Sequence, residues 1–206
     1  MTTPTLKHVY DSKMRVSADQ AIWHADLRME TLIRHIFEFA KPEYFVETGT
    51  HMGWTSHWIA SRYPEVTVHT VELSEDYYRL SGENLAALPN VKRTRADSRG
   101  WLRALLPLPG VTLLWIDSHF NADHPLLEEC RIVDRLDRFV CIIDDYHCGS
   151  DFPGDPASPA MVEPVLGDNY WRPAYPYKTG MSGYALFVRG IEYTPPTTMR
   201  RAWSSP

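Results

Sequence analysis

Each of five β-rich apolar runs in the chain gives out at an acid: Glu47, Glu72, Asp97, Asp117, and the pair Asp144 and Asp145. Carboxylates gathered at one end of a sheet accept hydrogen bonds from hydroxyls or amines, attract a cation, or ligate a hard metal ion. Asp117, Asp144 and Asp145 make an oxygen set suited to Mg²⁺ or Ca²⁺, and the nearby His119, His124 and His147 would shift preference toward a transition metal. His119, just beyond Asp117, carries an imidazole that is largely neutral near pH 7 and can take a proton. Its plainer reading is a hydrogen-bonding loop residue.

The segment Phe45-Val-Glu-Thr-Gly-Thr-His-Met-Gly-Trp-Thr-Ser reads as a strand that ends at Glu47 and turns through Gly49, Thr50 and Gly53 into a helix. Glycine permits close backbone approach there, and in a doubly wound sheet ligands sit beyond the carboxyl ends of the strands. The spacing E-x-G-x-x-x-G departs from the G-x-G-x-x-G pattern of dinucleotide sites. An acid ahead of the turn suits a cationic amino acid group better than a pyrophosphate. Glu72 with Leu73 ends the second run, at about the 20-residue distance where such folds present a carboxylate to ribose hydroxyls. Asp97 with Ser98 ends the third, where a carboxylate can meet an adenine amine. Singly, each has a plainer reading: a turn needed only for chain reversal, or an acid capping a helix, Asp97 above all. Together they point to a nucleoside.

In the order of these motifs the chain from Tyr44 to Tyr146 resembles the class I S-adenosylmethionine-dependent methyltransferases. The resemblance implies cofactor contacts at Glu47, Gly49, Thr50, Gly53, Glu72, Leu73, Asp97, Ser98 and Asp117, with the glycine loop holding the methionine part, Glu72 the ribose diol, and Asp97 and Ser98 near adenine. Thr48 and Thr50 around Gly49 are similar to the loop of small-molecule O-methyltransferases. The stretches Trp115-Ile-Asp-Ser-His and Cys141-Ile-Ile-Asp-Asp-Tyr-His look like the catechol-type branch, which implies Mg²⁺ on Asp117, Asp144 and Asp145. Asp145 stands where that pattern has an amide, and Phe120 where it has a lysine base. His119, beside Asp117, is the replacement base that follows. The implied reaction is methyl transfer from S-adenosylmethionine to a hydroxyl of a small-molecule acceptor.

Positioning these residues requires alternating strands and helices. Strands are expected at Tyr44–Glu47, Val66–Leu73, Val91–Ala96, Val111–Asp117 and Phe139–Asp144, and helices at Trp54–Tyr63, Glu75–Leu88, Arg99–Leu106 and Pro125–Leu136. Ser74 ahead of Glu75 and Asp76 is a helix-start signature. The fold expected is α/β: a doubly wound, mostly parallel, Rossmann-like sheet with helices on both faces. Ser17–Phe39 reads as a covering helical pair, with Ile22, Leu27, Leu32, Ile33 and Ile36 buried. Gly183–Arg189 reads as a final strand. The aromatics Tyr170, Trp171, Tyr175 and Tyr177 sit in a proline-rich stretch that forms either a further strand or a lid over the crevice, and loops are expected to dominate after Phe152. One domain spans 1–206, divided into a helical cover (1–43), a cofactor-binding core (44–146) and a loop-rich acceptor region (147–206).

Composition narrows the classes. With 206 residues, 44% hydrophobic and 23% charged, the chain can bury one sizeable core. Its net charge of −5, without basic runs, argues against nucleic acid, and no apolar run approaches the length of a membrane span. The 3 cysteines lack C-x-x-C spacing, which fits a reducing, cytoplasmic setting without a signal peptide. A homo-oligomer is compatible with all of this. Two other readings stay open: a nicotinamide-dependent oxidoreductase, and a non-catalytic nucleoside-binding module on the same fold.

Overall fold

The computed structural model describes residues 10–11, 16–17, 22, 27–118, 124–146, 157–174 and 183–202. His119, Phe120, His147, Cys148, Tyr175 and Tyr177 lie outside the described residues. The main sheet contains β1 (Tyr44–Thr48), β2 (Thr67–Glu72), β3 (Val91–Arg95), β4 (Thr112–Ile116), β5 (Phe139–Tyr146), β6 (Trp171–Pro173), β7 (Gly183–Arg189) and β8 (Met199–Arg201). The helices are α1 (Leu27–Phe39), α2 (Trp54–Arg62), α3 (Glu75–Leu85), α4 (Ser98–Leu105), α5 (Leu126–Val133) and α6 (Pro159–Leu166).

Across the sheet the order is β8-β6-β7-β5-β4-β1-β2-β3. Strands β1 to β5 are parallel to one another, whereas β7 runs antiparallel to β5 and to β6, and β8 antiparallel to β6. The chain winds outward from β1 to β3, then crosses back to β4 on the other side of β1. That reversal creates a switch point between β1 and β4, the usual place for a ligand crevice in this architecture.

Both faces of the sheet are covered, which explains why the central strands read as unbroken apolar runs. Phe45, Leu113, Trp115, Val140 and Ile142 pack with α1, α2 and Leu85 of α3 on one face. Their neighbours Val46, Leu114, Ile116, Cys141 and Ile143 pack with Leu102 of α4, α5 and Val162 of α6 on the other.

One expectation needs correction. Ser17 does not begin a helix: Val16–Ser17 pairs with Tyr10–Asp11 in a two-stranded ribbon, and α1 accounts for Leu27–Phe39. Leu32, Ile33 and Ile36 are buried on α1, as expected. Within the proline-rich stretch after Phe152, Pro159–Leu166 is helical despite two prolines. Pro159 occupies the first turn, where no N–H is needed, and Pro164 removes one bond from a short helix whose Val162 and Leu166 are buried. Of the two alternatives for the Tyr170 stretch, the further strand is the one observed, at Trp171–Pro173. Tyr170 is 2% exposed, stacks on Phe187 at 4.8 Å and donates to Glu163 at 3.0 Å; Trp171 opens β6 under the Arg201 guanidinium.

The approach of β1 to β4 is closest at Gly49. It has φ +83, and a Cβ there would lie 2.3 Å from the Asp117 carbonyl oxygen. Backbone strain and the collision act together, so Gly49→Ala is expected to lower unfolding free energy by about 2–4 kcal/mol. Urea denaturation measures this, and an unchanged midpoint would contradict so close an approach.

Candidate functional site

The glycine loop is tied down by its own backbone. Gly49 and Thr50 both donate to the Val71 carbonyl, at 3.0 and 3.1 Å, and Gly53 donates to Thr50 at 2.7 Å. The His51 N–H donates to Glu72 Oε2 at 2.7 Å, and the Ser74 N–H to Oε1 at 2.8 Å. Two backbone donors therefore orient the Glu72 carboxylate at the end of β2, and each oxygen keeps a lone pair for another donor. Leu73 beside it is 63% exposed, an apolar surface at the crevice mouth. His51 adopts φ +49, and its ring lies 4.2 Å from that of Tyr77 and 5.6 Å from that of Trp54.

Glu47 does not reach out of the loop. It is 2% exposed, and its Oε2 accepts from Ser56 Oγ and Thr70 Oγ1, both at 2.6 Å. Thr50 and Thr70 hydroxyls meet at 2.5 Å, so the loop threonine extends this chain inward. Burial pushes the Glu47 carboxyl up to about 7, against the opposing pull of the Ser56 and Thr70 hydroxyls.

Alternation along the strands brings a second acid alongside. Glu47 is two residues from Phe45, Asp117 two from Trp115, and Asp144 two from Ile142, so all three sit on the α1–α2 face. Asp145, as the next residue, would ordinarily point away. Instead β5 carries a bulge against β7, between Ile143 and Tyr146, and Asp145 takes φ +49 within it. The Asp117 carboxyl is held well above the usual range, first by burial and then by the charges of Asp144, Asp145 and Glu47. Its backbone N–H donates to Thr48 through both the carbonyl and Oγ1, each at 3.2 Å.

Asp144 Oδ1 faces the Asp145 N–H at 3.0 Å, and among the described residues no group of three or more His, Cys, Asp or Glu side chains is arranged to hold a metal ion, so the expected magnesium on Asp117, Asp144 and Asp145 finds no support.

Asp97 caps α4. Its Oδ1 accepts from the Arg99 N–H at 2.9 Å, and the Arg99 guanidinium covers both oxygens, which lowers the carboxyl's pKa. The plainer reading therefore accounts for its geometry, and Ser98, 7% exposed, is the inward-facing member of that pair. Cys130 and Cys141 are free, buried thiols pushed up by burial, with no nucleophilic character.

One buried acid escaped the sequence reading. Glu129 on α5 is 0% exposed and accepts from Ser118 Oγ at 2.7 Å. Its signal was present: it shares the apolar stripe of Leu126, Cys130 and Val133, where an acid is out of place.

Because the Glu47 carboxyl is near 7 in the fold against 4.5 when exposed, its favourable contribution is complete below pH 4.5 and fades as pH rises through 7. Glu47→Gln should remove a pH-dependent loss of about 3 kcal/mol between those limits. Chemical denaturation at pH 5 and pH 8 tests the sign: the variant gains on the parent at the higher pH, and equal pH slopes would refute the assignment.

No family model matches the chain, and no curated protein matches it. Solved structures do. An O-methyltransferase from Bacillus cereus in complex with SAH superposes with a TM-score of 0.61 at 15% identity, covering 80% of this chain and 81% of that one. TomG, an O-methyltransferase from Streptomyces achromogenes in complex with SAM, gives 0.59 at 18% identity over 84% and 88%. Spermidine synthase from Thermotoga maritima gives 0.62 at 15% identity over 80% of this chain and 60% of its own. At such identities the likeness is one of architecture: this chain has the Rossmann-like fold of the class I methyltransferases.

Proposed function

We propose that the crevice between β1 and β4 binds S-adenosylmethionine, and that the chain transfers its methyl group to a hydroxyl of a small molecule. The observation that carries this is the convergence of Glu47, Asp144 and Asp145 on Asp117, which raises the cost of a negative charge on Asp117 and favours a ligand that brings a positive one. A sulfonium and an α-ammonium answer that need. The oriented Glu72 carboxylate fits a ribose diol, and the exposed Leu73 fits the face of a base. The nicotinamide alternative fits less well, because the loop donors at Gly49, Thr50, His51 and Gly53 are already spent on the protein and offer nothing to a pyrophosphate.

When bound, the cofactor supplies a methyl group already activated by positive sulfur. The chain's part is then to orient the acceptor oxygen in line, exclude water and take the hydroxyl proton. Glu72 anchors the nucleoside, Gly49 lets the loop close onto β4, and Asp117 contributes negative potential at the reacting end. His119 is the proposed proton acceptor. Metal assistance is not part of this reading, given the arrangement of the three aspartates. No helix among the described residues is long and apolar enough to cross a membrane, and the proposed setting is cytoplasmic, with neither nucleic acid nor membrane as partner.

Titration calorimetry with SAM, SAH and NAD tests the binding step. SAM and SAH are expected to bind and NAD not to, and Glu72→Ala should weaken SAH binding by about 1.5–3 kcal/mol. Unchanged affinity in a folded variant removes the ribose assignment.

A cation lowers the pKa of neighbouring carboxyls, so SAM binding should expel protons from Glu47 and Asp117 and tighten as pH rises from 6 to 8. The uncharged sulfur of SAH should show a weaker slope. Identical slopes for the two ligands would mean that the acids do not face the sulfur.

His119→Asn is expected to slow methyl transfer by about 10²–10⁴-fold with SAM affinity unchanged. Turnover equal to the parent across the pH range would move the proton to another group, and binding without any turnover would favour the regulatory-module reading.

A further inference from the structure

Glu129 lies on the opposite face of the strand ends from Asp117, and the proposed chemistry does not use it. Its side chain is 0% exposed, with Oε1 accepting from Ser118 Oγ at 2.7 Å. The hydroxyls of Ser98 and Thr48 act on it as well, but burial outweighs them and raises the carboxyl's pKa. Thr48 Oγ1 also accepts from the Asp117 N–H. One acid thus gathers side chains from the end of β1, the turn after β4 and the start of α4.

We infer that Glu129 is a positioning residue: by holding Thr48, Ser98 and Ser118 together it sets the spacing of the three turns that form the nucleoside crevice. This rests on the nucleoside reading above. Complete enclosure keeps Glu129 from touching any ligand, so it acts through those hydroxyls. It also contributes little to stability, because a desolvated carboxyl on an apolar helix face is costly and a leucine would continue the stripe of Leu126, Cys130 and Val133. Geometry of the turns is what the acid supplies.

Stability and binding should therefore move apart. In Glu129→Leu the melting temperature is expected to equal or exceed that of the parent, while SAH Kd by calorimetry weakens about 10- to 100-fold. Glu129→Gln keeps a carbonyl acceptor for Ser118 and should stay within about threefold of the parent. Ser118→Ala removes the bonded hydroxyl without altering α5, and should weaken SAH several-fold even if the leucine variant does not fold. Parent-like affinity in either Glu129→Leu or Ser118→Ala overturns the inference, as does a parallel fall of melting temperature and affinity in both Glu129 variants. A parent protein that fails to bind SAH overturns the proposed function itself, and is told apart by that first titration.

Discussion

The crowding of negative charge around Asp117 is the constraint on which the site depends. Asp144, Asp145 and Glu47 each push its carboxyl toward the neutral form, and burial pushes harder still. Such an arrangement stores unfavourable electrostatic energy that a bound cation can release. The fold tolerates it because Glu47 receives two hydroxyl donors and its own carboxyl is pushed up to about 7 by burial.

Three features of the backbone enforce that crowding. Parallel strands bring all five carboxyl ends to one edge, as alternation sends Glu47, Asp117 and Asp144 to the same face. Gly49 admits the Asp117 carbonyl where any side chain would exclude it. The bulge in β5 then keeps Asp145 beside Asp144 rather than across the sheet from it. None of these is an interaction between the acids, which repel one another; the strength comes from ladder hydrogen bonds and from the two apolar layers.

The strands and their order of acids were legible because buried parallel strands leave short, β-rich apolar runs with abrupt polar ends. Helices α2 to α5 fall within a few residues of their expected spans for the matching reason of spacing and caps, with Ser74 accepting from the Tyr77 N–H as its position suggested. What sequence could not supply was the tertiary use of each side chain. Glu47 turns inward to Ser56 and Thr70, the latter on another strand. The bulge at Asp145 depends on pairing with β7, some forty residues on in the chain, and no local pattern announces it. Proline misled in α6 because a first-turn proline is compatible with a helix while proline clusters usually mark loops.

Architecture alone leaves the chemistry open, since O-methyltransferases and a spermidine synthase share it. The distinction has to come from charge. A dinucleotide brings a pyrophosphate, which needs free N–H donors at the first turn and would add negative charge to a crevice already acidic. Here the donors of that turn are satisfied by Val71, Thr50 and Glu72, and the acids stand directly beyond. On the proposed reading a nucleoside with a positively charged side arm reverses both objections: its diol would find an acceptor in Glu72, and its positive charge would relieve the acids around Asp117. The electrostatics that makes negative charge on Asp117 costly is then what would select the ligand.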